Sequence, residues 1–278
     1  MSHALLSPAQ VEQFTRSGFL VLPDFAPTGL VDSLRSRMDN LLEQFDPSAH
    51  RSTFIGNNEA ATDRYFLESG NDVRFFLEPD ALDEQGQLRV PKQACVNKAG
   101  HALHVKDSVY RAATRDLKLP ELASALGQRQ PVALQSMYLF KQPRIGAPVA
   151  LHQDATFLFT EPVSVLGFWL ALDDATEDNG CLWALPGGHT MGLKRRMRRT
   201  GQSTQMEILD EQPFPDSPLT PLPVSRGSLI VLHGLLPHLS YANQSAFPRH
   251  AYSLHLVDGA AQFPADNWLT MPTTGTMQ

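Results

Sequence analysis

Cysteine is nearly missing: Cys95 and Cys181 are the only two in 278 residues. Two thiols cannot build a disulfide framework, which points to a reducing compartment, and without CxxC spacing they make no zinc ribbon. Charge is sparse as well, at 19%, with 23 Lys and Arg against 29 Asp and Glu and a net charge of −6. A general nucleic-acid binder is usually basic, so no nucleic-acid partner is expected, although a local basic pocket remains open. No apolar run approaches the roughly 18 residues of a membrane span. The opening MSHALLSPAQ lacks the charged start and apolar core of a signal peptide. The closing Gly-Thr-Met-Gln is not the Ser-Lys-Leu of peroxisomal import. There is no HExxH, no GxSxG and no P-loop, which removes three common enzyme classes. There is no internal repeat and no low-complexity tract. Collagen, coiled coil, disordered tail and secreted mini-protein are all excluded. The expectation is an acidic, cytoplasmic globular protein, 42% apolar and long enough for one large domain or two small ones.

What is present divides the chain into two halves. Ser7, Pro8 and Gly18 are the cap, first-turn and stop residues of a helix, and Phe19–Val21 reads as a short strand. Leu30, Leu34, Met38, Leu41, Leu42 and Phe45 recur at helical spacing, predicting an amphipathic helix over about 28–45. Residues 46–64 are polar and irregular, a turn is expected at Asp83-Glu84-Gln85-Gly86, and a further helix over about 107–127. After that the apolar runs shorten and are punctuated by Pro and Gly. Val132–Phe140, Val165–Leu172, Ser228–His233 and Arg249–Val257 read as strands. The five prolines of Pro213–Pro223 predict a loop. Short strands without long intervening helices favour a jelly roll over a parallel doubly wound sheet. The expected architecture is one mainly β domain: a helical layer over about 1–127 and a jelly-roll core over about 128–260.

His152-Gln153-Asp154 is the first group that could carry chemistry. On a strand, residues i and i+2 project from one face, so an imidazole and a carboxylate reach one ion. With a distant histidine they complete a 2-His-1-carboxylate triad, which leaves positions open on Fe(II) for a cosubstrate and oxygen. Alone, His-x-Asp is a weak signal that also describes an ordinary surface pair. His233 and His238 both follow the apolar strand in SLIVLHGLLPHLS. His233 continues the alternation of Leu229 and Val231 and reads as a core-edge histidine. His238 has Ser240 two residues on and Arg249 eleven on; the same offsets from His233 give Leu235 and Gln244, neither a hydroxyl nor a cation. An arginine grips a carboxylate in bidentate fashion and a hydroxyl adds a hydrogen bond. Taken singly, Arg249 is more simply a surface salt-bridge residue.

Together these residues resemble the phytanoyl-CoA dioxygenase family of Fe(II)/2-oxoglutarate oxygenases. The pattern is His152-x-Asp154, His238-x-Ser240 and Arg249. With it come Asn97-Lys98, Gly100-His101-Ala102-Leu103-His104, Gln135-Ser136-Met137, Trp169 in GFWLALDDA, and Asp178-Asn179-Gly180-Cys181-Leu182-Trp183 leading to Pro186-Gly187-Gly188-His189. The likeness runs from Phe19 to about Trp268, and QSMYLFKQP, LHQDATFLFTEP and DNGCLW carry it furthest. It implies a double-stranded β-helix (a cupin-like jelly roll) with N-terminal helices. It implies Fe(II) held by His152, Asp154 and His238, and 2-oxoglutarate contacting Lys98, Met137, Gln153, Trp169, Ser240 and Arg249. It implies an oxidoreductase that uses O2 to hydroxylate a small organic substrate, with succinate and CO2 released. The PGGH turn, in place of the commoner PGSH, and a slightly shortened Asp154-to-Trp169 spacing bear on loop shape and substrate choice. Retention of Asp154 disfavours halogenation.

The other features read more simply. Phe157 and Phe159 share a face in an extended reading, suited to an apolar substrate or to plain packing. Lys194–Arg199 is the most basic stretch; it suits a phosphate-bearing substrate or, more simply, a solvated loop or helix face. Two other functions are open: a zinc hydrolase on the same triad, which would need no dicarboxylate anchor, and a non-catalytic jelly-roll binding module, which predicts a broken one.

Overall fold

The computed structural model describes residues 5–49, 52–53 and 64–271. Most of the polar stretch 46–64 and the last residues of the chain lie outside these. Helix α1 (Pro8–Ser17) starts where the sequence places it. The Ser7 hydroxyl accepts from the Gln10 amide, the Gln10 side chain accepts from the Ser7 amide, and Pro8 occupies the first turn. Gly18, at φ 79°, ends the helix in the left-handed conformation that a Cβ disfavours. Strand β1 (Phe19–Leu22) and helix α2 (Thr28–Gln44) follow. The buried stripe of α2 is Val31, Leu34, Met38 and Leu42.

Helix α3 (Arg64–Glu68) leads to the hairpin β2 (Val73–Leu77) and β3 (Val96–His101). The Asp83–Gly86 turn is present, closed by the Gly86 amide on the Asp83 carbonyl. The expected helix over 107–127 is instead two, after the short α4 (Leu103–Lys106): α5 (Ser108–Asp116) and α6 (Leu119–Ala125). Pro120 has no amide to donate and fits only a first turn, so the chain restarts at Lys118, which is left-handed.

Ten strands complete the molecule: β4 (Pro131–Leu139), β5 (Val149–His152), β6 (Leu166–Ala171), β7 (Leu182–Ala184), β8 (Arg195–Thr200), β9 (Ser203–Ile208), β10 (Thr220–Leu222), β11 (Leu229–His233), β12 (His238–Ser240) and β13 (Ala251–Asp258). The major sheet runs β1-β11-β6-β13-β4-β3-β2 and the minor sheet β10-β7-β12-β5. All their pairings are antiparallel. The eight strands β4–β7 and β10–β13 pass repeatedly between the two sheets, which is the double-stranded β-helix expected from the sequence. Within the proline-rich loop, Thr220–Leu222 pairs with β7 as β10, an edge strand where Pro221 is tolerated.

Period-2 alternation sets what the major sheet offers on each face. Phe168, Leu170, Tyr252, Leu254 and Tyr138 pack with Leu34, Met38, Tyr110 and Leu122 of the helices in the main core. The intervening residues face the minor sheet. Register places Met137, Ser253 and Trp169 side by side in one row, and Gln135, His255 and Gly167 in the next.

The basic run is not a loop or a helix face. It is β8, paired with β9, and acids take up much of its charge: Lys194 meets Asp210, Arg196 meets Asp266, and Arg198 meets both Glu207 and Asp266. Arg195 and Arg199 stay exposed. Among the described residues no helix is long and apolar enough to cross a membrane.

Candidate metal centre

A cavity of about 170 Å³ lies between the two sheets. The minor sheet contributes His152, at the end of β5, and His238, which opens β12; the two are register partners, with ring centroids 4.3 Å apart. Gln153 is extended, so Asp154 returns to the same side as His152. Asp154 itself begins a 3₁₀ turn, so the strand argument for this pair holds only as far as Gln153. Asp154 Oδ1 lies 3.6 Å from His152 Nε2 and 3.8 Å from His238 Nε2. One potential ligand atom from each residue falls within a 4.8 Å triangle.

Both rings are oriented through the backbone. His152 Nδ1 donates to the Ala150 carbonyl at 2.8 Å and His238 Nδ1 to the Leu236 carbonyl at 3.0 Å, which leaves each Nε2 lone pair for the site. Burial, then the neighbouring His152, bring the His238 pKa down to about 4, so this ring is neutral at pH 7. Burial would lower the His152 pKa too, but its contact with Asp154 prevails and raises it. Burial would raise the Asp154 pKa; His255, His238 and His152 outweigh it and hold the carboxyl well below the usual carboxylate range. His233 is elsewhere, packed on Phe14 and His189 with its Nδ1 accepting from the Leu235 amide. It is the core-edge histidine that the alternation predicted.

The cavity wall gathers five of the six residues expected around the cosubstrate: Lys98, Met137, Trp169, Ser240 and Arg249. Arg249 is 2% exposed and stands two residues before β13 rather than on it. Its Nε donates to the Gly180 carbonyl at 3.1 Å, its Nη1 is buried without a partner, and its guanidinium lies 5.1 Å from the Trp169 ring. Gly180 belongs to the DNGCLW stretch, where the Asn179 side chain ties the turn by accepting from the Thr176 amide and donating to the Asp174 carbonyl. Burial brings the Lys98 pKa down to about 7, and its ammonium lies near the Phe66 and Phe76 rings.

Gln153 is the exception. Alternation turns it away from the cavity, where its amide donates to the Gly192 and Leu235 carbonyls and accepts from the Lys194 amide. It braces the end of β5 from behind and does not line the cavity. Phe157 lines the cavity, but Phe159 lies under the Arg196 guanidinium instead, because the chain turns after Asp154 and the two do not share a face. His101 lines the cavity; His104 instead bonds Ser136.

The sequence reading missed two residues beside Asp154. His255 Nε2 lies 3.3 Å from Asp154 Oδ2, and a Cβ on Gly167 would stand 2.8 Å from the same oxygen. His255 is six residues beyond Arg249 on the cavity face of β13, so strand alternation from Ser253 could have found it. Nothing in the sequence marks Gly167.

The phytanoyl-CoA dioxygenase (PhyH) family pattern matches residues 14–251. The chain belongs to the phytanoyl-CoA dioxygenase family. It is thereby an oxidoreductase of the 2-oxoglutarate-dependent dioxygenase class, as the sequence motifs implied. It is 44% identical to phytanoyl-CoA dioxygenase domain-containing protein 1 of Bos taurus, over 96% of this chain and 95% of that protein. It is also 44% identical to the phytanoyl-CoA dioxygenase of Arabidopsis thaliana, over 95% and 93%. Among solved structures, EctD from S. alaskensis with 2-oxoglutarate and 5-hydroxyectoine superposes with a TM-score of 0.65 at 19% identity, covering 100% of this chain and 85% of that one. The epimerase SnoN with Fe3+, alpha ketoglutarate and nogalamycin RO gives a TM-score of 0.66 at 18%, covering 96% and 90%. The family's fold is thus carried by this chain on both counts.

Proposed function

We propose that this protein is an Fe(II)- and 2-oxoglutarate-dependent dioxygenase that hydroxylates a small organic substrate. One observation carries the reading: the His152, Asp154 and His238 ligand atoms share a cavity with a buried guanidinium that has an unsatisfied donor. A buried cationic donor facing a cavity is the complement of a carboxylate. Structural neighbours described with Fe3+ and 2-oxoglutarate support the same assignment.

The residues fit the ion. Two imidazole nitrogens and one carboxylate oxygen on a single face make the ligand set of non-haem Fe(II). Bound there, iron supplies the redox chemistry that couples loss of CO2 from 2-oxoglutarate, giving succinate, to hydroxylation by O2. The chain's own part is binding, orientation and exclusion of water. Arg249 and Ser240 take the distal carboxylate of 2-oxoglutarate. Trp169 and Met137 wall it on one side, and Lys98 places a further cation in the same chamber. Leu158, Leu232 and Trp268 make part of the remaining wall apolar, which suits a C–H-bearing substrate.

The catalytic unit is the whole of 1–278, the helical layer backing the jelly-roll core. The net charge of −6 supports a small-molecule rather than a nucleic-acid partner. Two free, buried cysteines support a reducing compartment, the cytoplasm. The decisive experiment is anaerobic titration of the Fe(II)-loaded protein with 2-oxoglutarate. A visible metal-to-ligand charge-transfer band is expected, and Asp154→Ala should abolish it. Iron binding with no band would turn the reading toward hydrolysis or simple binding.

A further inference from the structure

Lys141 stands behind the proposed anchor and was not singled out in the sequence. Its side chain is buried, 4% exposed, and its ammonium donates to Ser240 Oγ at 2.9 Å and to the Ala147 carbonyl at 2.7 Å. Its backbone is left-handed, φ 39°, a conformation that a residue with a Cβ adopts only when its surroundings hold it there. Three contacts hold it there. The Lys141 carbonyl accepts from the Arg249 amide at 3.2 Å and from Asn243 Nδ2 at 3.0 Å, and a Cβ on Gly180 would come within 2.7 Å of Lys141 Cε. Lys141, Gly180 and Arg249 thus form one packed unit, with Ser240 bonded to it.

An ammonium is only a donor, so Ser240 Oγ spends a lone pair on Lys141 and its own proton must point elsewhere. Ser240 lines the cavity, beside Arg249. Among the described residues neither Lys141 nor Arg249 forms a salt bridge within 4.0 Å. Glu78 is a buried acid bonded to the same Ala147 residue; its Oε2 accepts from the Ala147 amide at 3.0 Å and from Asn97 at 2.9 Å, and burial raises its pKa. Two basic groups are therefore buried together with no carboxylate in contact. Burial, and then Arg249, draw the Lys141 pKa down to about 6 against the pull of Glu78, so the amine holds its proton weakly in the free protein and an anion bound beside Ser240 and Arg249 would restore its charge.

We infer that Lys141 is a positioning residue for the dicarboxylate: it fixes Ser240 as a hydrogen-bond donor toward the distal carboxylate and, protonated when that anion is bound, adds a positive charge behind Arg249. This rests on reading Arg249 and Ser240 as the 2-oxoglutarate anchor.

The test uses the full chain loaded with Mn(II), titrated calorimetrically with 2-oxoglutarate and, separately, with pyruvate, which lacks the distal carboxylate. Lys141→Met should weaken 2-oxoglutarate by roughly 10-fold or more, the size of one lost charge-assisted hydrogen bond. Pyruvate and Mn(II) affinities should change less than about 2-fold. Lys141→Gln, which keeps a donor but no charge, should recover part of the loss. Lys141→Met combined with Ser240→Ala should be little weaker than the worse single variant, because both break the same contact. If Lys141→Met does not fold, Lys141→Gln and Ser240→Ala, singly and together, give the same cycle. Equal weakening of both keto acids, loss of Mn(II) binding, or independent multiplication of the two effects would overturn the inference and leave the cosubstrate reading intact. A wild-type protein that binds Mn(II) but prefers 2-oxoglutarate no more than pyruvate would overturn both.

Discussion

At the residue scale the site depends on which way single side chains point. His238→Ala is expected to weaken Mn(II) or Fe(II) binding by at least about 100-fold, since one of three ligands is gone. His233→Ala, five residues earlier, should leave it within about 2-fold, because that ring faces Phe14 and His189. Calorimetric metal titration of the two variants decides between them, and the reverse order would move the metal to the other histidine. Gly167→Ala is the subtler change. The added Cβ would meet Asp154 Oδ2 at 2.8 Å and the His255 ring at 3.5 Å, so the carboxylate must swing. Metal affinity should fall by roughly 10- to 100-fold, as when the support of a ligand is disturbed, with thermal stability little changed. These residues differ in how visible they are in a sequence. His152, Asp154, His238, Ser240 and Arg249 are chemically distinctive and regularly spaced. Gly167 acts by lacking an atom, and Lys141 acts through a fold that joins it to a serine 99 residues away.

At the element scale, local signals were legible wherever the chain decides its own conformation. Ser7, Pro8 and Gly18 bound α1 as read, and five strands of the major sheet, β1, β4, β6, β11 and β13, fall within one or two residues of the expected limits, while β2 and β3 were not read as strands. The misreadings arose where pairing partners decide. Residues 195–200 became a strand because 203–208 lies alongside, and Thr220–Leu222 became a strand because β7 offers it an edge. β9 follows β8 directly across Gly201 and Gln202, a hairpin that the reading of a basic run passed over, whereas β7 is remote from Thr220–Leu222 in the sequence. Asp107 shows what one cap contributes. It accepts from the Val109 and Tyr110 amides at the start of α5 and pairs with Arg37 of α2 at 2.6 Å. Asp107→Ala is expected to lower unfolding free energy by about 2 kcal/mol, the upper end for a lost cap. Urea denaturation should show this as a lower midpoint with an unchanged slope.

For the whole molecule, buried histidines set the acid limit of the fold. Burial brings His104 and His233 to about pKa 4 and His250 to about 3, with His189 adding to the effect at His233 and Arg35 at His250. The unfolded chain binds protons at these rings as the pH drops below about 6.5, and the folded chain does not until about 4. Stability is therefore full above that window and is lost as the pH falls through it. The metal-free protein should melt roughly 5 °C lower at pH 5 than at pH 7, a shift that scanning calorimetry reads directly.

Between β7 and β10 the chain leaves the minor sheet at Ala184 and rejoins it at Thr220, and these two residues are cross-strand partners. Everything from 185 to 219 is thus an excursion whose ends meet, tethered at a point where its length hardly matters to closure. It carries the β8–β9 hairpin, whose Met197 and Met206 pack with Phe157, Leu158 and Trp268 of the cavity wall. A segment of this kind is an exchangeable cassette. Transplanting another sequence between Arg195 and Ile208, which keeps the Gly192 and Lys194 backbone that holds Gln153, would reshape the chamber on its outer side while the strands bearing His152, His238 and Arg249 keep their register, so a new substrate preference is open to engineering.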